Sequence, residues 1–347
     1  MGKIAVIFGV TGQDGAMLAW WLVAKGYDVV GVMRRSSTDT TERLRKMGIL
    51  GRIKLCYGDL TDSISIIKIL SEHKPDEIYN LAAQSDVKVS FENPEYTANV
   101  DGVGTLRILE AMRMVCPNAR FYQASTSELY GDTHIRPRNE GTPFKPVSPY
   151  AVAKLYAYWI TKCYREAYGL FACNGILFNH ESPLRGHEFV TRKITRYIAE
   201  RVAGHTDKPL HLGNLDASRD WGYAADYVVG MWKMLQHDKP GDYVLATGKT
   251  HTVREFLEEA FKTVKVDLRF DDDGCAVYAK HSSNPAIKKG DLLVVTDSQY
   301  LRPHEVPCLL GDASKARKEL DWQPEHDFKW LVKEMVTSDM QEARNGR

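Results

Sequence analysis

The chain lacks the features that mark several functional classes. Only six cysteines occur in 347 residues (Cys56, Cys116, Cys163, Cys173, Cys275, Cys308), with no C-x-x-C pair and no Cys/His spacing. That excludes a disulfide scaffold, argues against a zinc site, and leads us to expect reduced thiols. Charge of one sign is also lacking. Lys plus Arg number 46 against 45 Asp plus Glu, a net +1, so neither a nucleic-acid nor a membrane surface is expected, and any anion must be met by locally placed arginines. No apolar run is long enough to span a bilayer. The chain enters the apolar residues 4–8 too soon for a signal peptide, and Val6 lacks the hydroxyl of a myristoylation signal. A reducing cytoplasm is the expected compartment. We find no internal repeat and no low-complexity linker, and the length suits one large domain or two joined intimately.

What is present begins with a strand pattern. Residues 4–8 form a β-branched and aromatic run, followed by a glycine-rich turn and apolar residues at helical spacing over 16–25. Further buried strands are predicted at 27–33, 53–57, 77–81, 120–124, 172–178 and 243–246. Helices are predicted at 151–168, 189–202, 220–236 and 253–264, while 271–290 reads as polar and irregular. Alternation of this kind predicts an α/β fold, a Rossmann-type doubly wound parallel sheet. The irregular remainder predicts a smaller, interwoven α/β substrate-binding domain. The expected boundaries are 1–178 with a return segment near 215–247 for the nucleotide domain, and 179–214 with 248–347 for the other.

Gly9-Val10-Thr11-Gly12-Gln13-Asp14-Gly15 is a G-x-x-G-x-x-G turn between the first strand and the first helix. Glycines there allow a tight turn and close approach of backbone amides to a pyrophosphate at a helix N-terminus, so a dinucleotide site is expected. The second strand ends in Arg34-Arg35-Ser36-Ser37 rather than in a carboxylate. Cationic and hydroxyl donors suit a 2′-phosphate, which favours NADP over NAD. Asp59-Leu60 and Leu81-Ala82-Ala83-Gln84-Ser85 fall at strand carboxyl ends, where open α/β sheets bind ligands.

The chemistry-bearing residues come next. Tyr150 and Lys154 stand one helical turn apart, and Thr126 and Glu128 lie at the end of the fifth strand. A free phenol titrates at about 10, so a tyrosine that must lose its proton near neutrality needs a cation, and a lysine at i+4 supplies one. Glu128 adds a candidate second proton-transfer group.

Y-x-x-x-K behind a glycine turn resembles the short-chain dehydrogenase/reductase superfamily in its extended form. The stretch Phe121-Tyr122-Gln123-Ala124-Ser125-Thr126-Ser127-Glu128-Leu129-Tyr130-Gly131, the Ser148-Pro149-Tyr150-Ala151-Val152-Ala153-Lys154 motif, and residues 9–15, 175–183, 189–193, 213–216, 219–222 and 302–303 closely resemble the GDP-mannose 4,6-dehydratase family. The likeness covers essentially the whole chain. It implies bound NADP and conversion of GDP-mannose to GDP-4-keto-6-deoxymannose by hydride transfer from C4 to C6 with loss of water. Tyr150 and Lys154 would serve the redox step, with Glu128 and Thr126 serving the elimination. The same resemblance adds Tyr96, His180 and Arg185 to the cofactor site. It assigns Ser85, Asn179, Val190, Lys193, Arg219, Arg302 and Glu305 to the GDP-sugar. It also implies a homo-tetramer in which the segment from Arg35 onward reaches toward a neighbouring subunit's cofactor.

Some positions depart from the family pattern: Met17, Leu184, His187, and Leu301 and His304 beside Arg302-Pro303. The last two leave a GDP-manno-heptose substrate as an alternative to GDP-mannose. An NADP-dependent nucleotide-sugar epimerase or reductase would share Tyr150 and Lys154 but would need no Glu128. A non-catalytic dinucleotide-binding redox sensor would need none of the four.

Overall fold

Four of the five residues of β1 (Ile4–Phe8) are buried, as a strand covered on both faces requires. In the computed structural model, which describes residues 2–346 apart from Asp273, Arg302, Pro303 and Glu305, β1 lies inside a seven-stranded sheet. On one side of it run β2 (Asp28–Met33) and β3 (Lys54–Tyr57). On the other run β4 (Glu77–Asn80), β5 (Arg120–Thr126), β6 (Phe171–Leu177) and a last strand, Asp242–Leu245. All of these pairings are parallel, so the doubly wound sheet expected from the strand pattern is present. Strand order reverses between β1 and β4, which makes their carboxyl ends the switch point of the sheet.

The chain divides into two compact units. The first holds residues up to Phe178 together with Ala224–Gly248 and Gly311–Pro324. Its core sets Val6, Phe8, Val30, Ile78 and Phe121 of the sheet against Ile66 and Leu70 of helix Ser63–His73 and Ile108 and Met112 of helix Gly104–Val115. Each such side chain contributes about 1.5–3 kcal/mol on burial. The return of Gly311–Pro324 to this unit differs from the expected boundaries. Its anchor is Trp322, whose indole Nε1 donates to the Asp226 carbonyl at 2.8 Å and whose ring meets Tyr227 edge-on at 5.6 Å.

The second unit comprises Asn179–Tyr223, Lys249–Leu310 and the residues from Glu325. A four-stranded sheet (Val266–Phe270, Ala276–Ser282, Leu292–Thr296, Leu210–Leu212) packs with helices Val190–Val202, Val253–Thr263 and Phe328–Arg344 through Ile198, Phe256, Phe261, Val277, Leu331 and Met335. Strand Ala276–Ser282 overturns the reading of 271–290 as irregular. Val277 and Ala279 do alternate inward, but the polar run just before them hid so short a period. The helix expected over 220–236 starts instead at Ala224, because Gly222–Tyr223 pairs in parallel with His180–Glu181. Among the described residues no helix is long and apolar enough to cross a membrane.

A partly buried ion pair ties the far edge of the large sheet to the helix Pro149–Tyr168. Arg165 donates to both carboxylate oxygens of Asp242, at 2.9 and 2.8 Å, and Asn174 and Tyr158 donate to the same group at 2.9 and 3.2 Å. Burial pushes the Asp242 carboxyl up, but Arg165 and the other donors hold it below its ordinary value. A carboxyl depressed in the folded state stabilises above the unfolded pKa and loses that contribution as pH falls. Arg165→Met is therefore expected to cost about 1.5–3 kcal/mol at neutral pH in urea unfolding, and the gap from the parent should narrow below the carboxylate range.

Candidate active site

Tyr150 owes its place to a helix start. The Ser148 hydroxyl accepts the Ala151 amide at 3.1 Å, Pro149 opens the helix, and Gly169 closes it in the left-handed region at φ 66°. Tyr150 therefore sits in the first turn with Lys154 one turn later, and they are 8% and 3% exposed. The Lys154 ammonium lies 5.9 Å from the Tyr150 ring centre and donates to the Ala124 carbonyl of β5 at 3.3 Å. Two residues on, Thr126 ends the strand, and its hydroxyl accepts the Glu128 amide at 3.2 Å, setting Glu128 in the tight turn Ser127–Tyr130. The structure thus joins the Tyr150 helix to the strand end that carries Thr126 and Glu128.

A buried polar network lies beneath this junction. Gln123 Nε2 donates to the same Ala124 carbonyl at 3.0 Å, and its Oε1 accepts Asn80 at 2.8 Å and Thr105 at 3.1 Å. Thr105 also reaches the Asp101 carbonyl at 3.3 Å. Asp101 belongs to a π-helical stretch, Ala98–Val103, and its Oδ1 accepts the Gln84 amide at 2.8 Å. Burial pushes the Asp101 carboxyl up to about 6 against the opposing pull of Lys154 and the Gln84 amide, and burial likewise lowers Lys154 against the pull of Asp101. The sequence reading missed Asp101, Gln123 and Asn80. Polar residues inside otherwise apolar strands were the available signal for the last two.

The glycine turn forms a cradle that side chains would fill. Gly9 has φ 82°, and a Cβ on it would stand 2.8 Å from the Ala82 backbone; one on Gly15 would stand 2.3 Å from the Gly9 carbonyl. Gly12 donates to Gly9 at 3.0 Å, helix Gln13–Ala24 begins at once, and Gln13 Nε2 donates to Asp14 at 2.9 Å. Arg43, also unforeseen, donates to the Thr11 carbonyl at 3.2 Å. Such a turn, with amides at a helix N-terminus and no side chains in the way, fits a pyrophosphate.

The other expected cofactor residues lie on the neighbouring strand ends. Arg34 donates to the Tyr96 hydroxyl, Arg35 lies 5.8 Å over the Tyr57 ring, and Ser36 bonds Thr38 at 3.0 Å. Arg34, Arg35, Ser37 and Ser85 are exposed. Asp59 holds the amide and hydroxyl of Thr61, both at 2.8 Å, and Leu60 is buried against Gly104. Leu81 donates to Phe8 at 3.0 Å, which brings Ala82, Ala83 and Gln84 alongside the glycine turn.

In the second unit the Asn179 carbonyl accepts Gly222 at 2.9 Å, and His180 pairs with Gly222 in the two-stranded ladder. Arg185 pairs with Glu181 at 3.1 Å and lies 3.6 Å over the Phe189 ring. Val190 opens its helix, and one turn later Lys193 stands 4.8 Å from the Tyr300 ring. Arg219 is buried and donates to the Ser218 and Val306 carbonyls at 2.9 and 2.8 Å. Arg302 and Glu305 lie outside the described residues.

A cleft of about 640 Å³ opens elsewhere in the first unit, beside Asp76, Glu77 and Arg120 at the amino ends of β4 and β5. Its charges are engaged locally: Glu77 accepts Lys3 at 3.1 Å, Asp76 accepts the Ile4 amide at 2.8 Å, and Arg120 donates to two carbonyls. The chemistry-bearing groups lie at the opposite, carboxyl ends.

Residues 6–335 match the model of the family described as GDP-mannose 4,6 dehydratase. The chain is 53% identical to a GDP-mannose 4,6-dehydratase of Vibrio cholerae serotype O1 over 355 residues, covering 99% of this chain and 95% of that one. It is also 53% identical to a GDP-mannose 4,6-dehydratase of Sinorhizobium fredii over 352 residues, covering 99% of each. Among solved structures, a UDP-glucose 4-epimerase of Thermotoga maritima solved with UDP-glucose aligns at TM-score 0.81 and 21% identity, covering 98% of this chain and 99% of that one. A dTDP-glucose 4,6-dehydratase of Bacillus anthracis in complex with NAD aligns at 0.79 and 19%, covering 99% and 98%. At those identities the two structures speak for the fold.

The cradle geometry sets a test. Gly15→Ala is expected to weaken dinucleotide binding at least about tenfold, roughly 1.4 kcal/mol, in a fluorescence titration with NADPH, while leaving circular dichroism of the folded chain unchanged.

Proposed function

The chain belongs to the GDP-mannose 4,6-dehydratase family, and from that premise we infer that it is a hydro-lyase converting GDP-mannose to GDP-4-keto-6-deoxymannose and water. The observation that carries the residue roles is the buried Lys154 ammonium beside Tyr150, on the helix bonded to the strand that ends at Thr126 and Glu128. NADP is the cofactor we propose, held by the glycine turn from Gly9 to Gly15 with Thr11, Gln13 and Asp14, by Arg34, Arg35, Ser36 and Ser37, and by Asp59, Leu60, the 81–85 segment, Tyr96, Lys154, His180 and Arg185. When bound, the nicotinamide would accept a hydride from C4 of the sugar and return it to C6.

The chain's own groups would move the protons. Tyr150, favoured as phenolate by Lys154, takes the proton of the C4 hydroxyl as that carbon becomes a ketone. The ketone acidifies C5, and Glu128 removes the C5 proton. The C6 hydroxyl then leaves as water with a proton from Glu128, aided by the Thr126 hydroxyl. A proton returned to C5 balances the one taken from O4, and no external reductant is consumed. Ser85, Asn179, Val190, Lys193, Arg219, Arg302 and Glu305 are proposed to hold the GDP-sugar, with cations suited to its diphosphate. A homo-tetramer in the cytoplasm is our reading of the working state, with the loop after Arg35 near a subunit contact. An exposed stripe of Val152, Tyr156 and Trp159 on the Tyr150 helix supports such an association.

Purified protein given GDP-mannose should yield a product lighter by one water with no added reductant, read by mass spectrometry beside a parallel assay on GDP-manno-heptose. Unchanged GDP-mannose with dehydrated heptose would reassign the sugar. Glu128→Gln should lower turnover by about 10²–10⁴-fold yet still oxidise C4, so reduced cofactor should accumulate on the enzyme. Replacing Arg34 and Arg35 with alanine should weaken NADPH at least about tenfold and NADH far less, measured by fluorescence titration.

A further inference from the structure

We propose that Asp101 is a positioning residue of the reaction: from the π-helical stretch Ala98–Val103 it acts as the counter-charge that keeps the buried Lys154 ammonium protonated beside Tyr150. The inference rests on the reading of Lys154 as the cation that supports the Tyr150 phenolate. Three observations carry it. Asp101 is 1% exposed and Lys154 3%, and an ammonium taken out of water needs a nearby anion to keep its proton. Of the two carboxylate oxygens, Oδ1 is occupied by the Gln84 amide at 2.8 Å, while Oδ2 is buried with no hydrogen-bond partner. An unsatisfied buried carboxylate oxygen is costly, and the π-helical stretch packs directly on the Lys154 turn, where a Cβ on Gly102 would stand 3.4 Å from the Ala153 carbonyl, close enough for the two buried charges to oppose each other's desolvation. Third, the π-helical stretch holds Asp101 by its backbone as well, since Thr105 reaches the Asp101 carbonyl and joins it through Gln123 to the Ala124 carbonyl on which Lys154 rests. Inserted turns of this type recur at functional sites.

No other charge substitutes for it. On the elements packed around the Lys154 helix, Lys88 and Glu92 are exposed. Arg107 donates to Leu60 and Asn99, and Glu110 is taken by Arg113 and Tyr164. Glu95 and Tyr96 of the packed helix Pro94–Thr97 are exposed as well, and Tyr150 and Glu128 belong to the proposed proton-transfer set. Asp101 is thus the buried carboxylate of the π-helical stretch packed on the Lys154 turn.

The sign of the effect follows. Removing a negative charge eases proton loss from every nearby group, so Asp101→Asn should lower the pH at which Tyr150 ionises and the pH at which Lys154 becomes neutral. Asparagine keeps an oxygen for the Gln84 amide, so the variant removes charge and little else. Both limbs of the kcat/KM profile on GDP-mannose should move to lower pH, the alkaline limb by about one unit, so that activity above it falls about tenfold. A D101N profile superimposable on the parent's, in a variant with unchanged thermal unfolding, would overturn the proposal.

A second measurement does not depend on the D101N variant. In the parent protein carrying ¹³C-lysine, the Lys154 ε-carbon resonance, assigned with Lys154→Met, should show a second inflection as Asp101 takes up its proton near pH 6. A single inflection would sink the idea. The underlying reading is tested apart by Lys154→Met activity: full turnover there would refute the role of Lys154, whereas lost turnover with an unshifted D101N profile refutes only the role of Asp101.

Discussion

A lysine ammonium taken out of water, at the point where a helix meets the end of a strand, is the constraint on which this site depends. A charge buried without partners sheds its proton, and a neutral Lys154 offers nothing to Tyr150. The fold answers with the Ala124 carbonyl, which accepts from the ammonium, and with the buried Asp101 carboxylate of the π-helical stretch. Each partner is fixed by something further. Ala124 is held in the parallel ladder opposite Gly175 of β6, and Asp101 is held by the Gln84 amide in the segment after β4. The segment that follows β4 at the switch point therefore holds Asp101, and the adjoining strand β5 carries the carbonyl on which Lys154 rests.

That sharing links cofactor binding to acid–base chemistry. Gln84 belongs to the segment after β4 whose Ala82 backbone stands where a Cβ on Gly9 would have to go. A glycine at position 9 lets β1 and β4 end side by side, and the close fit leaves helix amides free to face a pyrophosphate. One local requirement, the absence of a side chain, thus shapes the dinucleotide cradle and sets the position of the amide that holds Asp101. The Tyr150 helix is fixed independently by its own cap, Ser148, and by the Arg165–Asp242 pair at its other end.

Much of this was legible in the residues. The parallel sheet followed from apolar runs with helical spacing between them, and β1, β2 and β5 begin within a residue of the expected positions. Tyr150 and Lys154 were readable because helix periodicity and the Ser148-Pro149 start fix their common face. Asp101 was not readable. Its partner lies 53 positions away in the chain, as the spacing of Asp101 and Lys154 shows, and nothing local marks a carboxylate that tertiary packing will bury. Strand Ala276–Ser282 escaped notice for a related reason, since only Val277 and Ala279 alternate inward and polar residues flank them. Gly311–Pro324 returns to the first unit through the Trp322 indole on Asp226, the Asp312 amide on the Arg138 carbonyl and Lys315 on the Asp242 carbonyl, long-range choices that periodicity does not encode.

The placement of Glu128 explains how such a scaffold can run an elimination. In the proposed mechanism Tyr150 and Lys154 serve a redox step at one carbon, and that pair rests on the buried network described above. Glu128 stands outside that network. It occupies the short turn beyond β5, positioned by its backbone amide on the Thr126 hydroxyl. In the proposed mechanism that carboxylate takes a proton from one carbon and passes it to a leaving group at the next. Burying it beside Lys154 would place a second anion against the ammonium and raise the phenol's pKa, working against the first proton transfer. The two bases are therefore compatible because one is tied to the helix charge pair and the other to a strand end. A single hydroxyl, that of Thr126, marks the boundary between them.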